Sequence, residues 1–465
     1  MPTSPAPSNR RQAFATAGLG LSGLSLSGLA LATASPTIAA RAAEPATAPT
    51  QGALDVRSFG AKGDGATDDT AAFQTALNQA YEAGGGSVFV PPGRYLIATH
   101  LVVPQNVTLE GIFTAPPSTP WRSDGPAGAA RLAGSVLFAV EGAGKPDGTP
   151  FIQLGGNATL KGIAVFYPDQ KNEQPPVAYP WTVSSSLHGA DNCSIIDVLL
   201  VNPYQAVDFG GRATGRHLIR NLNAAPLFRG LFIDHCLDVG RVENVHFWPF
   251  WCASGPANDF RLKEAKAFVI GRTDWQHITN CFCIGYETGF QFIRGCSPNP
   301  AYQGGGNAQI VGGGADLCNR AVHVVELQGH SGVRFVNSQI YGDIVVEASN
   351  HGPVQFTACG LFGSAIGANG IALARIEGGG KVSFTDCHIH CIDPRATARP
   401  LIHAKAGRLQ VRGCEILDGH AARDHVVLEP DVAAAVISDN SSRSSFTVIN
   451  NAKGKTIVRD NIGEA

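Results

Sequence analysis

The sequence has little charge and little excess of either sign: 15% of its 465 residues are charged, and the formal net charge is −2. This balance gives no support to nucleic-acid binding, and it argues weakly against a very strongly anionic ligand, although it leaves room for a local basic groove. The 11 cysteines contain no Cys-x-x-Cys pair, so a zinc knuckle is not indicated. Helical periodicity is missing from the body of the chain, which disfavours βαβ units.

Long apolar runs are also missing, except at the N-terminus. Arg10, Arg11 and Phe14 precede an apolar stretch over residues 15–34, and small residues follow at 39–43. This order resembles a twin-arginine export signal, although Phe14 stands one place later than in the usual pattern. A membrane anchor is the weaker alternative, because Gly and Ser dilute the apolar run. We therefore expect an export signal at residues 1–43, a linker at 44–52, and a periplasmic or extracellular bacterial protein that has no membrane segment once the signal is removed.

One short phrase recurs along the chain: alternating apolar residues that end in a small or polar residue. Its copies end at Gly111, Gly162, Asp197, Asn221, Asn244, Asn280, Asn337, Ala358, Asp386, Gly413, Asp439 and Asp460. From Gly162 onward, successive copies lie 21 to 57 residues apart, and the longest interval divides in two if Ile310 ends a further copy. Such recurrence predicts a solenoid, and the two-residue alternation predicts short strands joined by turns. The expected fold is all-β, a right-handed single-stranded parallel β-helix.

In four copies the next residue is cysteine, at Cys281, Cys359, Cys387 and Cys414. Equivalent positions of successive coils stack about 4.8 Å apart, and a column of thiols is compact and easily buried. The cysteines therefore predict a packed interior ladder, with metal or disulfide chemistry as the weaker alternative.

Residues 54–111 carry the most specific pattern in the chain. Its three parts are Leu54-Asp-Val-Arg-Ser-Phe-Gly-Ala-Lys-Gly-Asp-Gly-Ala-Thr-Asp-Asp-Thr70, Gly84-Gly-Gly-Ser-Val-Phe-Val-Pro-Pro-Gly-Arg-Tyr95 and Asn106-Val-Thr-Leu-Glu-Gly111. After the first part, Asp68 or Asp69 predicts the N-cap of an amphipathic helix. Its apolar positions are Phe73, Ala76, Leu77 and Ala80. We expect a short N-terminal capping helix, within a cap of residues 53–111, to cover strand edges that would otherwise invite aggregation.

This segment resembles the entry module of the pectate-lyase-like superfamily, which includes rhamnogalacturonase and epimerase-like β-helix proteins. The resemblance implies a β-helix domain over residues 53–465, usually secreted and usually acting on polysaccharide. Hydrolases of this fold often carry Asn-Thr-Asp, Asp-Asp, Gly-His-Gly and Arg-Ile-Lys motifs along the coils, and the body of this chain has none of them. Their absence puts plain polygalacturonase activity in doubt, and a pectate-lyase set of calcium-binding Asp with an Arg base is not evident either.

Counting from the end of each phrase predicts a pair of carboxylates. Asp343 lies six places beyond Asn337, and Asp316 lies six places beyond Ile310. If both counts start from equivalent positions, the carboxylates lie one coil apart, roughly 5 Å from each other. One pKa then rises, which supplies the acid and the base that glycoside hydrolysis needs. Both residues are equally natural in turns, which is the competing interpretation.

A second set of candidates suits a lyase or an epimerase. Arg272 could neutralise a uronate carboxylate, while a His or Tyr side chain could remove the C5 proton. The remaining members are His246, His277, Tyr286, Glu243 and the further carboxylate candidate Asp274. A simple exposed ion pair between Arg272 and Asp274 is the competing interpretation.

The segment His246-Phe-Trp-Pro-Phe-Trp251 is the most unusual in the chain. Alternation places some of its aromatic residues outside the coil, and Pro249 breaks the ladder. Trp248 and Trp251 therefore predict either a platform for stacking sugars or an aromatic interface within a homotrimer, and the two interpretations carry equal weight.

Taken together, these patterns predict an exported enzyme that acts on a polysaccharide. The first hypothesis is a glycoside hydrolase of the polygalacturonase-like class with Asp316, Asp343 and Asp274 as its carboxylates. The alternatives are a lyase or epimerase for uronate-containing glycans, and a non-catalytic carbohydrate-binding protein. No cofactor is required by this hypothesis, although the carboxylate and carbonyl oxygens of the proposed face would favour Ca²⁺ if an ion is needed.

Overall fold

The alternating segments form strands that wind about one axis, as the recurring phrase predicts. The computed structural model describes residues 52–119, 132–185, 187, 190–297, 299–300, 303–363, 373–391, 399–418 and 423–463. The predicted export signal and the predicted linker up to residue 51 lie outside the described residues. Within the described part of the chain, no helix combines the length and the apolar character needed to cross a bilayer.

The strands are short and follow one another closely. The first are β1 Leu54–Asp55, β2 Asp64–Asp68, β3 Gly86–Val90, β4 Gly93–Ile97, β5 Leu101–Val103, β6 Val107–Gly111, β7 Ser135–Ala139, β8 Ile152–Leu154, β9 Thr159–Lys161, β10 Ile163–Phe166, β11 Trp181–Ser184, β12 Ser194–Leu200 and β13 Gln205–Phe209. Next come β14 Leu218–Ala224, β15 Arg229–Ile233, β16 Arg241–Glu243, β17 His246–Phe247, β18 Lys266–Ile270, β19 Gln276–Thr279, β20 Phe282–Ile284, β21 Thr288–Phe292, β22 Ala308–Val311, β23 Gly314–Asp316, β24 Arg320–Val324, β25 Val333–Val336 and β26 Gln339–Tyr341. The last are β27 Asp343–Val346, β28 Val354–Thr357, β29 Gly360–Gly363, β30 Ala374–Ile376, β31 Lys381–Thr385, β32 His388–Cys391, β33 Ile402–Arg412, β34 Glu415–Asp418, β35 Val426–Ser438, β36 Ser441–Ser442, β37 Val448–Asn450, β38 Lys455–Arg459 and β39 Ile462–Gly463.

The strand pairings are parallel and connect successive coils, forming three sheets. The first sheet contains β1, β3, β6, β9, β12, β14, β16, β19, β22, β25, β28, β31, β33, β35 and β38. The second contains β2, β4, β7, β10, β12, β14, β17, β20, β23, β26, β29, β32, β34, β36 and β39. The third contains β5, β8, β11, β13, β15, β18, β21, β24, β27, β30, β33, β35 and β37. The predicted parallel β-helix is therefore confirmed.

A left-handed residue turns the chain from the first sheet into the second. The residues at this corner have φ between 50° and 67°, a region that Gly, Asn and Asp tolerate best. They are Gly162, Asp197, Asn221, Asn244, Asn280, Gly312, Asn337, Ala358, Asp386, Gly413, Asp439 and Asp460. Their side chains also bond along the axis: the Asn221 Nδ2 donates to Asp197 Oδ1 (2.7 Å), and the Asn244 Nδ2 donates to Asn221 Oδ1 (3.1 Å).

The missing copy of the phrase exists, but it ends at Gly312 and not at Ile310. Thr279 pairs with Val311, and Val311 pairs with Val336, so Gly312 is equivalent to Asn280 and Asn337. This offset of two residues changes the expected position of Asp316, as described below.

Inside the coils, aromatic rings stack at the spacing of the strands. Ring centroids lie 4.8 Å apart for Phe268 and Phe290, and 5.2 Å apart for Phe356 and Phe384. The four cysteines that follow the left-handed turn are all buried, which confirms the predicted interior ladder.

The predicted N-terminal helix is present as α1 Thr70–Glu82, preceded by a 3₁₀ turn at Val56–Phe59. It buries the four predicted apolar residues against β3, β5 and β6, at the beginning of the coil. Asp68 Oδ1 accepts a hydrogen bond from Thr70 N (3.0 Å), whereas Asp69 accepts from the backbone N–H groups of Lys62 and Gly63. The acidic residues of this segment thus have structural partners.

Helix α2, Pro256–Glu264, adds a second layer outside the second sheet. Its Ala257 belongs to a separate apolar cluster that includes residues of β7, β10, β12 and the loop before α2. Arg261 fastens the helix, because its guanidinium donates to the backbone oxygens of Gly285 and Cys252 and to Asn258 Oδ1.

Ala358 is the one left-handed residue at this corner, among those described, that has neither an amide, a carboxylate nor a glycine backbone. We expect Ala358→Asn to raise the free energy of unfolding by about 1 kcal/mol, since Asn tolerates positive φ and can join the side-chain ladder. Chemical denaturation followed by circular dichroism measures this. Ala358→Val is the matched control and should lower stability; equal midpoints for the two variants would contradict the strain argument.

Candidate functional site

The predicted pair of carboxylates does not form. Asp316 ends β23 in the second sheet and pairs with Ile284, whereas Asp343 begins β27 in the third sheet and pairs with Arg320. The cause is the reference residue: counted from Gly312, Asp316 stands four places on, but Asp343 stands six places beyond Asn337. Asp343 is also only 1% exposed. Burial raises the pKa of Asp316, but its strand partner is Ile284 and not a carboxylate. The paired-acid mechanism for Asp316 and Asp343 is therefore wrong.

The Arg272 and Asp274 side chains form an ion pair at the corner after the third sheet, with 2.5 Å between Nη1 and Oδ1. Gln328 Nε2 also donates to Asp274 Oδ1 (3.0 Å). Burial raises the pKa of Asp274, but the hydrogen bonds from Arg272 and Gln328 outweigh it, so the pKa lies below its ordinary value. The competing interpretation of an ion pair is the one the structure bears out.

The other members of the second candidate set lie on different faces. Glu243 and His277 belong to β16 and β19 of the first sheet, and His246 begins β17 of the second. Tyr286 is fully buried in the core, where burial raises its pKa and the nearby Arg261 lowers it only in part. Tyr286 as a solvent-side base is therefore wrong, and these residues do not converge on one site.

The aromatic segment at residues 246–251 lies under the second layer. Phe247 faces the main core, while Phe250 and Trp251 belong to the outer cluster beneath α2, where Trp251 is 7% exposed. Trp248 packs against the same cluster, partly buried. The alternation of residues correctly predicted that some of these rings point out of the coil. The outward rings of Phe250 and Trp251 are nevertheless covered, because they pack in the outer cluster beneath α2. Trp251 is therefore not available as a sugar platform.

A different set of side chains meets on the outer face of the third sheet. Strand register stacks Arg229 on Lys266, and it stacks Phe232, Val269, Gln291 and His323 in one column. A cavity of about 310 Å³ opens on this face. It is lined by Arg229, Phe232, Lys266, Val269, Gln291, Ile293 and Cys296. We call this the third-sheet cavity.

Two cations on the rim of the third-sheet cavity have no acidic partner. Among the described residues, neither Arg229 nor Lys266 forms an ion pair with a carboxylate. Further along the same face the cations are paired: Arg320 with Glu287, Arg375 with Glu377, and Lys405 with Glu377. At the cavity, by contrast, the nearest acidic influence on Arg229 is the buried Asp208, with which it forms no ion pair, so an anionic ligand would be favoured there.

His323 continues the column beyond Gln291, and its ring is held at both nitrogens. Gln291 Nε2 lies 3.2 Å from Nδ1, and Glu347 Oε1 lies 2.9 Å from Nε2. Since the amide donates to Nδ1, the proton of the neutral ring sits on Nε2 and is donated to Glu347. Burial lowers the pKa of His323 from its ordinary 6.5, and the bond to Glu347 raises it only in part. A neutral imidazole oriented by a carboxylate has the properties of a general base.

Asp208 lies at the other end of this column, one coil before Phe232. Burial raises its pKa, although the Gly210 N–H and the Ser184 hydroxyl, which donate to it at 2.8 and 3.3 Å, lower it. The Trp181 ring stacks against Phe232 with 6.3 Å between centroids. The face therefore offers an aromatic surface as well as charge.

One wall of the third-sheet cavity is fastened by a buried carboxylate, Asp234. Its Oδ1 accepts from Arg272 N (2.6 Å), and its Oδ2 accepts from Cys296 N (2.7 Å). A Cβ at Gly271 would lie 2.5 Å from Asp234 Oδ1, so only glycine fits there. This arrangement joins three successive coils and holds the Cys296 backbone beside the cavity.

The sequence also contains a second pattern, separate from the recurring phrase, that predicts the outer face of the third sheet. The third-sheet strands begin with a polar residue and a small one, as in Arg229-Gly, Lys266-Ala, Thr288-Gly and Arg320-Ala. The small residues face inward: a Cβ at Gly230 would lie 2.7 Å from the Phe247 ring. Aligning these strands would have stacked Arg229 on Lys266.

Metal binding gains no support at these positions. Within the described ranges, no three His, Cys, Asp or Glu side chains converge where an ion could be held. Calcium stays a prediction.

The comparisons with known proteins match one short part of the sequence and the overall fold. Residues 53–136 match a family described as rhamnogalacturonase A/epimerase, pectate lyase-like. Alginate lyase 7 and mannuronan C5-epimerase AlgE5, both from Azotobacter vinelandii, are each 54% identical to this chain over 44 residues. That stretch is 10% of this chain and only 5% and 4% of the two relatives.

Similarity over the whole coil is structural. The A-module of mannuronan C-5 epimerase AlgE6 from Azotobacter vinelandii superposes with a TM-score of 0.50 at 14% identity, covering 89% of this chain and 99% of the module. Such low identity shows a shared fold alone. Residues 53–136 are thus similar to the rhamnogalacturonase A/epimerase, pectate lyase-like family, and the coil shares the fold of the epimerase A-module.

Proposed function

We propose that the protein acts on a uronate-containing polysaccharide in the third-sheet cavity and removes the C5 proton of a uronate unit. The observation that carries this proposal is the pair of cations Arg229 and Lys266, which are stacked in adjacent coils at the cavity rim and form no ion pair with any carboxylate that the structure describes. The same proton transfer begins both elimination by a lyase and inversion by an epimerase. The protein therefore belongs to one or the other of these two classes.

The cations suit the chemistry of the first step. A uronate carboxylate must be neutralised before its α-carbon can lose a proton, because the developing negative charge spreads onto the carboxylate oxygens. Arg229 presents a planar fork for two carboxylate oxygens, and Lys266 adds a compact second charge. Phe232 and Val269 provide an apolar floor between the strands, where charge interactions are stronger than in water.

His323 is the base in this proposal. Its Nδ1 lone pair faces the amide of Gln291, which itself lines the cavity. A bound uronate that displaces this amide would place its C5–H toward Nδ1. Glu347 then stabilises the imidazolium through Nε2–H, in the role of an orienting carboxylate.

The comparisons support this choice over the hydrolase hypothesis. The relatives that match over 44 residues are named as an alginate lyase and as mannuronan epimerases, whereas the carboxylate pair required for hydrolysis is not formed. Because the matched stretch is short, activity and substrate are part of the proposal. Export and trimer formation stay predictions.

The activity itself is tested with a panel of plant, algal and bacterial polysaccharides. A lyase produces an unsaturated uronate that absorbs in the ultraviolet, an epimerase exchanges the C5 proton for deuterium in D₂O, and a hydrolase yields only reducing ends.

We expect Arg229→Gln and Lys266→Gln each to lower kcat/KM about 10- to 100-fold, as loss of a charge-assisted hydrogen bond does.

The matched control is Arg216→Gln, which removes an exposed arginine paired with Asp238 away from the third sheet. It should leave kcat/KM unchanged. Full activity in the Lys266 and Arg229 variants would contradict the proposal. Release of reducing ends without ultraviolet absorbance or deuterium exchange would also contradict it.

The pH dependence follows from His323. Burial lowers the pKa of His323 below 6.5, so the imidazole is mainly unprotonated at pH 7. We expect kcat/KM to be flat from pH 7 upward and to fall as pH drops through this lowered pKa. His323→Gln should remove that limb of the profile together with most of the activity. An acid limb centred above pH 7 would point to a different base.

Cys296 reports on occupancy of the third-sheet cavity. It is exposed, whereas the other ten cysteines are buried, so one thiol per chain should react with iodoacetamide under native conditions. Burial, and then Asp234, raises the pKa of Cys296 above its ordinary 9.0, so its alkylation rate should still be rising past pH 9. A saturating oligouronate should slow alkylation at least threefold, and Cys296→Ser should remove the reactive thiol. Unchanged alkylation with bound oligouronate would place the ligand elsewhere.

A further inference from the structure

Three half-buried aromatic side chains lie beside the third-sheet cavity, at the corner where the chain enters the third sheet. Tyr204 and Phe228 precede equivalent residues of β13 and β15, and their rings stack with 5.0 Å between centroids. Phe260 of α2 lies 6.1 Å from Phe228 and 6.3 Å from Tyr204. We call these three rings the corner aromatics.

The corner aromatics are not simply part of the core. Phe228 and Phe260 belong to neither apolar cluster, and Tyr204 only packs against the edge of the main one. All three keep part of their surface in solvent. Their position therefore needs an explanation beyond packing, since rings left at the surface lose the benefit of burial.

Arg229 connects the corner aromatics to the third-sheet cavity. Its guanidinium carbon lies 5.0 Å from the centroid of Phe228, and the same side chain lines the cavity. Cation–π contact holds the charge at the boundary between the rings and the cavity. A ligand that reaches both would meet a cation and an aromatic face side by side.

We propose that the corner aromatics form a second sugar subsite, which stacks the pyranose ring of a uronate unit next to the unit held in the cavity. The C–H face of a pyranose packs on flat aromatic rings, and its carboxylate can reach the shared Arg229. This inference rests on the proposed function and adds to it where the polysaccharide extends from the reacting unit.

The experiment measures the affinity of uronate oligomers of increasing length by isothermal titration calorimetry. In the wild-type protein, affinity should rise in a step when one more unit reaches the subsite. Phe228→Leu and Phe260→Leu keep an apolar side chain but lose the flat ring. Each should weaken the longer oligomer about 3- to 10-fold, and leave the shorter oligomer unchanged.

Tyr81→Leu is the matched control, because Tyr81 is an exposed aromatic residue of α1 at the beginning of the coil. It should bind both oligomers like the wild type. If a leucine variant fails to fold, saturation-transfer NMR on the wild type tests the subsite. Irradiation of the aromatic protons of the protein should saturate the C–H protons of the added sugar unit. Absence of this transfer refutes the subsite.

The outcomes separate this inference from the proposed function. If the wild type binds oligomers but the variants keep the full length step, the subsite is refuted and the cavity proposal survives. If the wild type binds no uronate oligomer, both proposals fail. If the variants change the molar mass in light scattering, the corner aromatics with the exposed Leu262 are a contact between copies of the chain, and the subsite is refuted.

Discussion

The structure depends on one backbone constraint, the left-handed residue between the first and second sheets. Each such turn fixes where a strand ends, and parallel pairing then fixes the register of every following residue until the next corner. Positive φ is tolerated best by Gly, Asn and Asp, so one of these residues recurs in the sequence at this position in most coils. Side chains that are distant in the sequence are thereby stacked into columns, as Asn221 is stacked on Asp197.

The same constraint explains which parts of the fold the sequence could predict. The first sheet, the cysteine ladder and α1 follow from patterns a few residues long, and all three are present. The third sheet is harder, because its strands are separated from the left-handed turn by a corner whose length varies from coil to coil. Gly312 shows the sensitivity: choosing Ile310 as the reference moved Asp316 by two residues, enough to assign it to the wrong sheet.

The sequence also did not allow us to predict that another part of the chain covers residues that point out of the coil. Alternation correctly placed Trp251 outside the coil, but it does not reveal that α2 folds back over that face. The packing of α2 depends on Arg261, a buried cation satisfied by neutral oxygens of Gly285, Cys252 and Asn258. Such a contact joins residues from separate coils, so no local sequence pattern predicts it. A hydrophobic residue outside a solenoid therefore marks either a binding surface or a second layer, and only the fold distinguishes them.

Charge balance distinguishes the outer face at the third-sheet cavity from the rest of the third sheet. At the rung spacing of about 4.8 Å, two like charges repel by roughly 1 kcal/mol in water and by roughly 3 to 4 kcal/mol at an effective dielectric constant of 20. Elsewhere on the third sheet this cost is removed by glutamates, as at Arg375 and Lys405, which share Glu377. At Arg229 and Lys266 the repulsion is left in place. A bound carboxylate would relieve this repulsion, which favours the binding of an anion beside Arg229 and Lys266.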